Sequence, residues 1–300
     1  MKVLITGGTG FIGSALKSYF LTKGYTVHYL TKDPTKIVRK SDVKGFLWDT
    51  EKFEIDPEAF DGVDCIVNLA GKSINSKWNK RNKNKILFSR VNSSKTLFQF
   101  LEKNTHQVKH ILSASAIGIY PSSFQQEFTE DETQINPKFL GQVCREWEFE
   151  NNKFQKLGIQ TSIVRIGMVL SKNQGALPEM AQLVCRGIGK KMGSGKQIYS
   201  WIHREDLVRM MYFILNNKIE GTFNAVSDQP VEQTKFHTLL AQRMNKKFII
   251  SRIPALVFRL MIGERSTLIL DSHRVSNTKI KSAGFTFNYA SLEEALEEIY

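Results

Sequence analysis

Val3-Leu4-Ile5-Thr6-Gly7-Gly8-Thr9-Gly10-Phe11-Ile12-Gly13 opens the chain with a short β-branched run, a glycine-rich turn and the start of an amphipathic segment. The apolar run is too short for a helix and reads as a strand. Ile12, Ala15, Leu16, Tyr19 and Phe20 then recur at helical spacing, so a helix packs back onto that strand. Strand, glycine turn and helix in this order are the context in which Gly-x-x-Gly-x-x-Gly holds a dinucleotide. Gly7 permits the tight exit from the strand, Gly10 lets backbone N–H groups approach a pyrophosphate, and Gly13 allows close helix–strand packing. The helix N-terminus directs partial positive charge at the phosphates. Gly7, Gly8, Thr9, Gly10, Phe11, Ile12 and Gly13 are therefore the candidate cofactor cradle; the plain structural alternative is a glycine turn without a ligand.

Working outward, residues 27–30, 45–48, 65–69, 110–113 and 161–165 read as further strands, with a helix over about 140–154 between the last two. Six parallel strands with intervening helices predict an α/β fold, a doubly wound parallel sheet of the Rossmann type. After Gly167 the rhythm changes. Loops rich in Gly and Lys over 187–196 precede Trp201-Ile202-His203, Asp206 reads as the N-cap of a helix over 207–215, and 222–226 returns to the sheet. The expected organisation is a cofactor-binding Rossmann domain over 1–230, with 168–200 contributing to a substrate lobe. A smaller, mainly helical C-terminal domain over 231–300 closes over the sheet's carboxyl edge.

Composition sets limits on partners. Three hundred residues with 41% hydrophobic and 24% charged side chains suit a soluble protein with a substantial core. Cys65, Cys144 and Cys185 are odd in number, far apart and in no metal-ligand spacing, which favours free thiols in a reducing compartment and predicts no metal. No apolar run approaches the roughly 18 residues of a membrane span, and the apolar start is too short for a signal peptide. A cytoplasmic location without a membrane partner is the expectation. The net charge of +13 admits either a polyanionic partner or a solvated basic surface with a pocket for phosphates. Basic residues are spread along the chain, the densest run (72–95) lies beside the proposed cofactor site, and no nucleic-acid module motif occurs, which favours the second. Nothing fixes the oligomeric state.

The residues after the second strand bear on cofactor choice. An NAD site commonly places an acid about 20 residues past the glycines to hold the ribose 2′-OH. Thr31-Lys32 stands there, with Asp33 one step later. A hydroxyl and an ammonium suit a 2′-phosphate that a carboxylate would repel, so NADP(H) is favoured, while Asp33 keeps NAD open.

The glycine turn, Asn68-Leu69-Ala70-Gly71, Ser113-Ala114-Ser115-Ala116 and Trp201-Ile202-His203-Arg204-Glu205-Asp206-Leu207 together resemble the extended short-chain dehydrogenases/reductases. More narrowly they resemble the atypical, NAD-dependent epimerase/dehydratase-like subgroup that includes a cyanobacterial and chloroplast cell-division regulator and a mammalian NADP-binding member. The tail, with Ile253-Pro254, Gly263-Glu264, Gly284-Phe285-Thr286-Phe287 and Leu292-Glu293-Glu294-Ala295-Leu296, resembles that subgroup's small C-terminal domain. The resemblance covers nearly the whole chain. It implies NADP contacts from Thr31 and Lys32, from Leu69, Ala70 and Gly71 beside the adenine-ribose half, from Arg90, and from Met168 and Val169. Lys85 stands where an acid is expected and is left out.

Short-chain dehydrogenases use Tyr-x-x-x-Lys on one helical face, the Lys lowering the phenol pKa so that the Tyr shuttles a proton while hydride moves. Only Tyr19 here has a Lys four residues on, Lys23, and that pair lies on the first helix. The matching positions in the 140–154 helix hold Leu140 and Cys144. Ser115 matches the catalytic serine, or else bonds backbone or the nicotinamide amide. Tyr120 is the substitute acid, or a packing residue. His203 is a proton carrier or part of a strand-to-helix junction, Trp147 packs in the core, and Cys144 lacks clear activation. The expectation is an NADP(H)-binding, epimerase-like oxidoreductase of unknown small-molecule substrate, nucleotide sugars being the class the resemblance implies. The alternative is a dinucleotide-dependent regulatory or scaffold protein, for example in cell division, without turnover.

Overall fold

The alternation of apolar runs and amphipathic segments resolves, in a computed structural model describing Met1–Tyr300, into a central sheet flanked by helices. The first part of the chain supplies β1 (Lys2–Thr6), α1 (Phe11–Thr22), β2 (Thr26–Thr31), β3 (Val43–Asp49), β4 (Glu54–Ile55), β5 (Cys65–Asn68), α2 (Lys80–Lys103) and β6 (His110–Ala116). Later come α3 (Phe139–Asn152), β7 (Gln160–Ile166) and β8 (Gly221–Ala225). The strand order is β8-β7-β6-β5-β1-β2-β3-β4. β1 runs parallel to both neighbours, Val3 lying opposite Val27 on one side and Cys65 on the other. The order reverses at β1, so the turn leaving its carboxyl end occupies the switch point where doubly wound sheets bind ligands. Every residue of β5 and all but the first of β1 are buried, as expected of parallel strands covered on both faces.

The sheet contains the six expected parallel strands and the expected return near 222–226, as β8, and adds one strand. The two-residue β4 pairs antiparallel with β3, Trp48 opposite Ile55, and closes that edge. Leu69 and Val226, expected at strand ends, fall just past β5 and β8. The third helix stops at Asn152, continues as a 3-10 turn over Lys153–Leu157, and is ended by Gly158 at φ 69°.

Chain contacts divide the protein into two compact units. The first comprises Met1–Ala116, Lys138–Arg165 and Val208–Phe223, and the second Ile117–Pro137, Ile166–Leu207 and Asn224–Tyr300. In the first, Leu4, Phe46, Ile66 and Ile111 of the sheet bury against Leu97 and Leu101 of α2. In the second, Leu170, Trp201 and Phe236 pack with Leu292, Leu296 and Ile299 of the last helix. That helix, Leu292–Ile299, begins with a capping box in which Ser291 and Glu294 exchange side-chain-to-backbone bonds. Asp206 is not the N-cap expected of it. The helix begins at Arg204, and the Asp206 carboxylate accepts the backbone N–H groups of Asn288 and Tyr289, both at 2.9 Å, pinning the C-terminal tail.

Candidate functional site

Gly7 leaves β1 at φ 67°, and the Gly10 N–H donates to its carbonyl at 2.9 Å, closing the turn. A side chain at Gly13 would overlap that carbonyl, so α1 lies directly against the turn. Gly10 is different. It is the N-cap of α1, and a Cβ there would meet only the Gly7 carbonyl oxygen at 3.2 Å, with open space beyond. The first turn of α1 carries no acidic residue and no side-chain cap, so no carboxylate offsets the positive end of its dipole there.

The facing wall is fixed by a buried polar cluster. Thr6 Oγ1 accepts the N–H groups of Leu69 and Ala70, both at 3.0 Å, and donates to Asn68 Oδ1 at 2.8 Å. Asn68 Oδ1 also accepts from Ser93 (2.8 Å), its Nδ2 donates to Ser94 (3.0 Å), and Ser94 donates to Asn151 (2.6 Å). The guanidinium of Arg90 sits behind Gly71, whose added Cβ would lie 3.0 Å from Arg90 Cζ. It donates to the carbonyls of Lys72 and Ile86, both at 3.0 Å, and lies 5.1 Å from the centroid of the Trp147 ring.

Between these walls lies a cleft of about 680 Å³. Gly7, Thr9, Thr31, Lys32, Ala70 and Gly71 line it; Lys72 and Lys85 add positive charge, and Glu51 is the one acid. Gly8, Phe11, Ile12, Gly13 and Leu69 do not line it. Asp33 does not line the cleft. It caps the 3-10 turn Pro34–Lys36, its carboxylate accepting the Thr35 hydroxyl (2.6 Å) and N–H (3.0 Å), with Lys36 at 3.6 Å. Those Thr35 bonds hold its carboxyl below the usual carboxylate range.

Lys85, set aside in the sequence, lines the cleft together with Phe88, Ser89 and Asn92. The spacing i, i+3, i+4, i+7 places these four on one face of α2, a signal that would have found them. Arg90 does not line the cleft but holds the 70–72 strip in place. Met168 and Val169 lie in the second unit, on the strand Met168–Leu170 that pairs with Trp201–His203.

The candidate proton donors are all committed to internal partners. Ser115 is buried and donates at 2.6 Å to Glu148 Oε1. Glu148 accepts two bonds from Arg165, Nε to Oε1 and Nη2 to Oε2, each 2.9 Å, and all three residues are buried. Cys144 is no nucleophile: burial, with the Glu148 charge adding to it, pushes its thiol up to about 12. Of the two readings of Tyr120, substitute acid or packing residue, its surroundings in the second unit match packing. It is 1% exposed, stacks on Phe128 with centroids 5.3 Å apart, and donates its hydroxyl to Asn224 at 2.7 Å. His203 is part of a junction. The Glu205 N–H lies 3.4 Å from its Nδ1, which leaves Nε2–H to donate to Glu298 at 3.0 Å, and the ring rests 4.0 Å from that of Tyr289. Trp147 is buried, as expected of core packing.

A strand, glycine turn and helix at the switch point of a mainly parallel sheet define a Rossmann-type fold of the short-chain dehydrogenase/reductase kind. Residues 3–225 match the NAD dependent epimerase/dehydratase family, and residues 253–299 match a domain of unknown function, DUF1731. An epimerase family protein of Staphylococcus epidermidis is 34% identical over 300 residues, covering 99% of this chain and 98% of its own. One from Staphylococcus aureus strain N315 is 34% identical over 299 residues, with the same coverage. The human epimerase family protein SDR39U1 (isoform 2), solved with NADPH, superposes with a TM-score of 0.86 at 25% identity over 100% of this chain and 99% of its own. UDP-glucuronic acid 4-epimerase of Bacillus cereus shares the fold, with a TM-score of 0.80 at 16% identity over 100% and 98% of the two chains. The chain belongs to the NAD-dependent epimerase/dehydratase family and carries a DUF1731 domain over residues 253–299.

Proposed function

We propose that the chain is an NADP(H)-binding, epimerase-like oxidoreductase acting on a small molecule. The observation that carries the cofactor choice is the division of labour after β2. Thr31 and Lys32 line the cleft, whereas the Asp33 carboxylate is spent on its own turn and on Lys36. An ammonium facing the cleft suits a 2′-phosphate, and the carboxylate that would favour NAD points elsewhere. The α1 N-terminus suits the pyrophosphate, the strip 69–71 the adenine-ribose half, and Arg90 positions that strip. The human relative solved with NADPH supports the same reading. The bound cofactor supplies or accepts a hydride.

A second reading, a dinucleotide-dependent regulator without turnover, is favoured by the Ser115–Glu148–Arg165 arrangement. The serine proton is directed at a paired carboxylate, and Leu140 and Cys144 stand where a proton-shuttling Tyr and Lys belong. General acid–base assistance is worth about 10²–10⁴-fold, so chemistry by the usual tyrosine mechanism is slow here.

Calorimetric titration tests the first reading. NADPH binds more tightly than NADH by roughly ten- to a hundredfold, the worth of one charged hydrogen bond, and Lys32→Asp abolishes the difference. Equal affinities in the wild type overturn the assignment. Rapid, saturable oxidation of bound NADPH by any member of a panel of carbonyl compounds and nucleotide sugars removes the regulator reading.

A further inference from the structure

The first unit contains a second pocket, of about 370 Å³, lined by Lys2, His28, Arg39, Lys40, Lys44 and Phe46 among others. Lys2 is the first residue of β1 and Thr6 the last, so this pocket opens at the amino end of the strand whose carboxyl end carries the glycine turn. Four residue steps at about 3.3 Å separate the two ends, roughly 13 Å. Doubly wound sheets bind their cofactors at the carboxyl end, and the cofactor reading leaves this pocket unused.

Its construction follows from strand register. Leu4, His28 and Lys44 lie opposite one another on three adjacent parallel strands, so their side chains share a face of the sheet. Leu4 belongs to the apolar core; moving outward, that core ends in His28, only 2% exposed, and then in charge. The His28 ring rests 4.8 Å from the Phe46 ring, and its Nδ1 lies 2.8 Å from the Ala59 carbonyl. A carbonyl oxygen only accepts, so Nδ1 carries the hydrogen and the neutral ring presents Nε2 as an acceptor. Above this floor the chain between β2 and β3 folds into a tight hairpin. Lys40 N–H donates to the Val43 carbonyl and Gly45 N–H to the Val38 carbonyl, both at 2.8 Å, and Arg39 bridges Lys44. The hairpin thereby gathers Arg39, Lys40 and Lys44 on one rim. Glu58 and Asp61 stand on the other, where Lys2 Nζ already donates to the Asp61 carbonyl at 2.6 Å. Three exposed cations remain over a buried imidazole, in a space too small for a dinucleotide.

We propose that this pocket is a second binding site, for a small phosphate-bearing anion, with the hairpin cations holding the phosphate and His28 at its base. Burial holds the His28 ring below its ordinary value, and Lys2 and Lys44 push the same way, against the Ala59 bond and Asp61. A bound dianion offsets the two lysines and accepts a hydrogen bond from Nε2–H, so occupancy raises the ring's pKa and binding takes up a proton. Affinity for the anion therefore increases as pH falls through the ring's titration, with Lys2, Arg39, Lys40, Lys44, Glu58 and Asp61 the charged groups facing it.

Inorganic phosphate is the probe, added to isotope-labelled full-length protein at constant ionic strength while the His28 ring resonances are followed. The expected result is a saturable shift in the millimolar range and a ring pKa that climbs with phosphate. Arg39→Gln combined with Lys44→Gln weakens binding at least roughly tenfold, because two charge-assisted contacts are lost. The unchanged dispersion of the remaining resonances checks that the variant is folded, and its NADPH affinity stays at the wild-type value. A linear, non-saturating shift of equal size in wild type and variant, or a ring pKa indifferent to phosphate, overturns the proposal whatever the cofactor experiments show.

Discussion

Gly10 and Gly13 stand three residues apart in one turn, yet a side chain at each does different damage. At Gly13 the added Cβ runs into the carbonyl group of Gly7 and the Cα of Gly8, backbone that cannot yield without moving the exit of β1. Gly13→Ala is expected to cost about 1–3 kcal/mol of stability, the range for overpacking a fixed site, and to weaken cofactor binding with it. Gly10 has φ −87° and ψ −177°, extended backbone that any residue adopts. Gly10→Val should therefore melt within about 1 kcal/mol of wild type while losing the thermal stabilisation by NADPH, since the valine fills the pyrophosphate's approach. Melting curves of both variants with and without NADPH decide it, and a full NADPH shift in Gly10→Val would place the pyrophosphate elsewhere. The glycine turn was legible because its constraints are local. The bonding partners of Arg90 and Tyr120 were not, because the Lys72 carbonyl and Asn224 lie 18 and 104 residues away. Ser115 was recognised from its strand, but nothing nearby in sequence announces the Glu148–Arg165 pair that holds its proton.

Among the elements, the buried strands were the most readable, since parallel strands covered on both faces need runs of β-branched residues. The 24-residue α2 was not singled out, although it is the longest helix in the fold. Its buried positions include Ser93, Ser94 and Thr96 beside Val91, Leu97 and Leu101, so the apolar stripe that marks a helix in sequence is interrupted by hydroxyls. Two of those hydroxyls serve Asn68, while Thr96 donates to the Asn92 carbonyl: Ser93 and Ser94 connect the end of β5 to α2, and Ser94 continues to Asn151 on α3. One fully buried amide therefore ties a strand to two helices. Asn68→Ala strands the hydroxyls of Thr6 and Ser93 and should lower stability by about 2–4 kcal/mol, whereas Ser93→Ala removes one donor and should cost about 1 kcal/mol. Urea unfolding of the two variants checks the ratio; equal midpoints would mean that the amide is not the hub of the cluster. Asp206 shows the opposite error. Its helix was found, but a helix-start carboxylate reads as a cap, and only the folded tail shows that it serves Asn288 and Tyr289 instead.

Over the whole molecule, positive charge and histidine burial act in the same direction. The surplus of +13 is partly gathered at two concavities, since Lys32, Lys72 and Lys85 line the cleft and Lys2, Arg39, Lys40 and Lys44 the amino-end pocket. Because the chain is already cationic, each further proton adds to like charge. His28, His110, His203 and His237 are buried, and burial holds each ring below its ordinary value. In the unfolded chain these rings take up protons near pH 6.5, while in the folded protein they stay neutral to lower pH. The unfolded state thus binds more protons as pH falls below about 6.5, so stability is full above that pH and is lost progressively towards the folded-state values. His237 sets the scale, since burial brings it down to about 4, against a smaller upward pull from the Gly189 backbone. At pH 5 that single ring removes about 2 kcal/mol, or roughly 4–8 °C of melting temperature for a unit of this size, and the other three add to it. Thermal melts of wild type from pH 7.5 to 5 should fall accordingly, and His237→Leu should flatten the slope by about one proton. Equal stability at pH 5 and 7, or a variant that keeps the full wild-type slope, would show that the ring is already protonated in the fold.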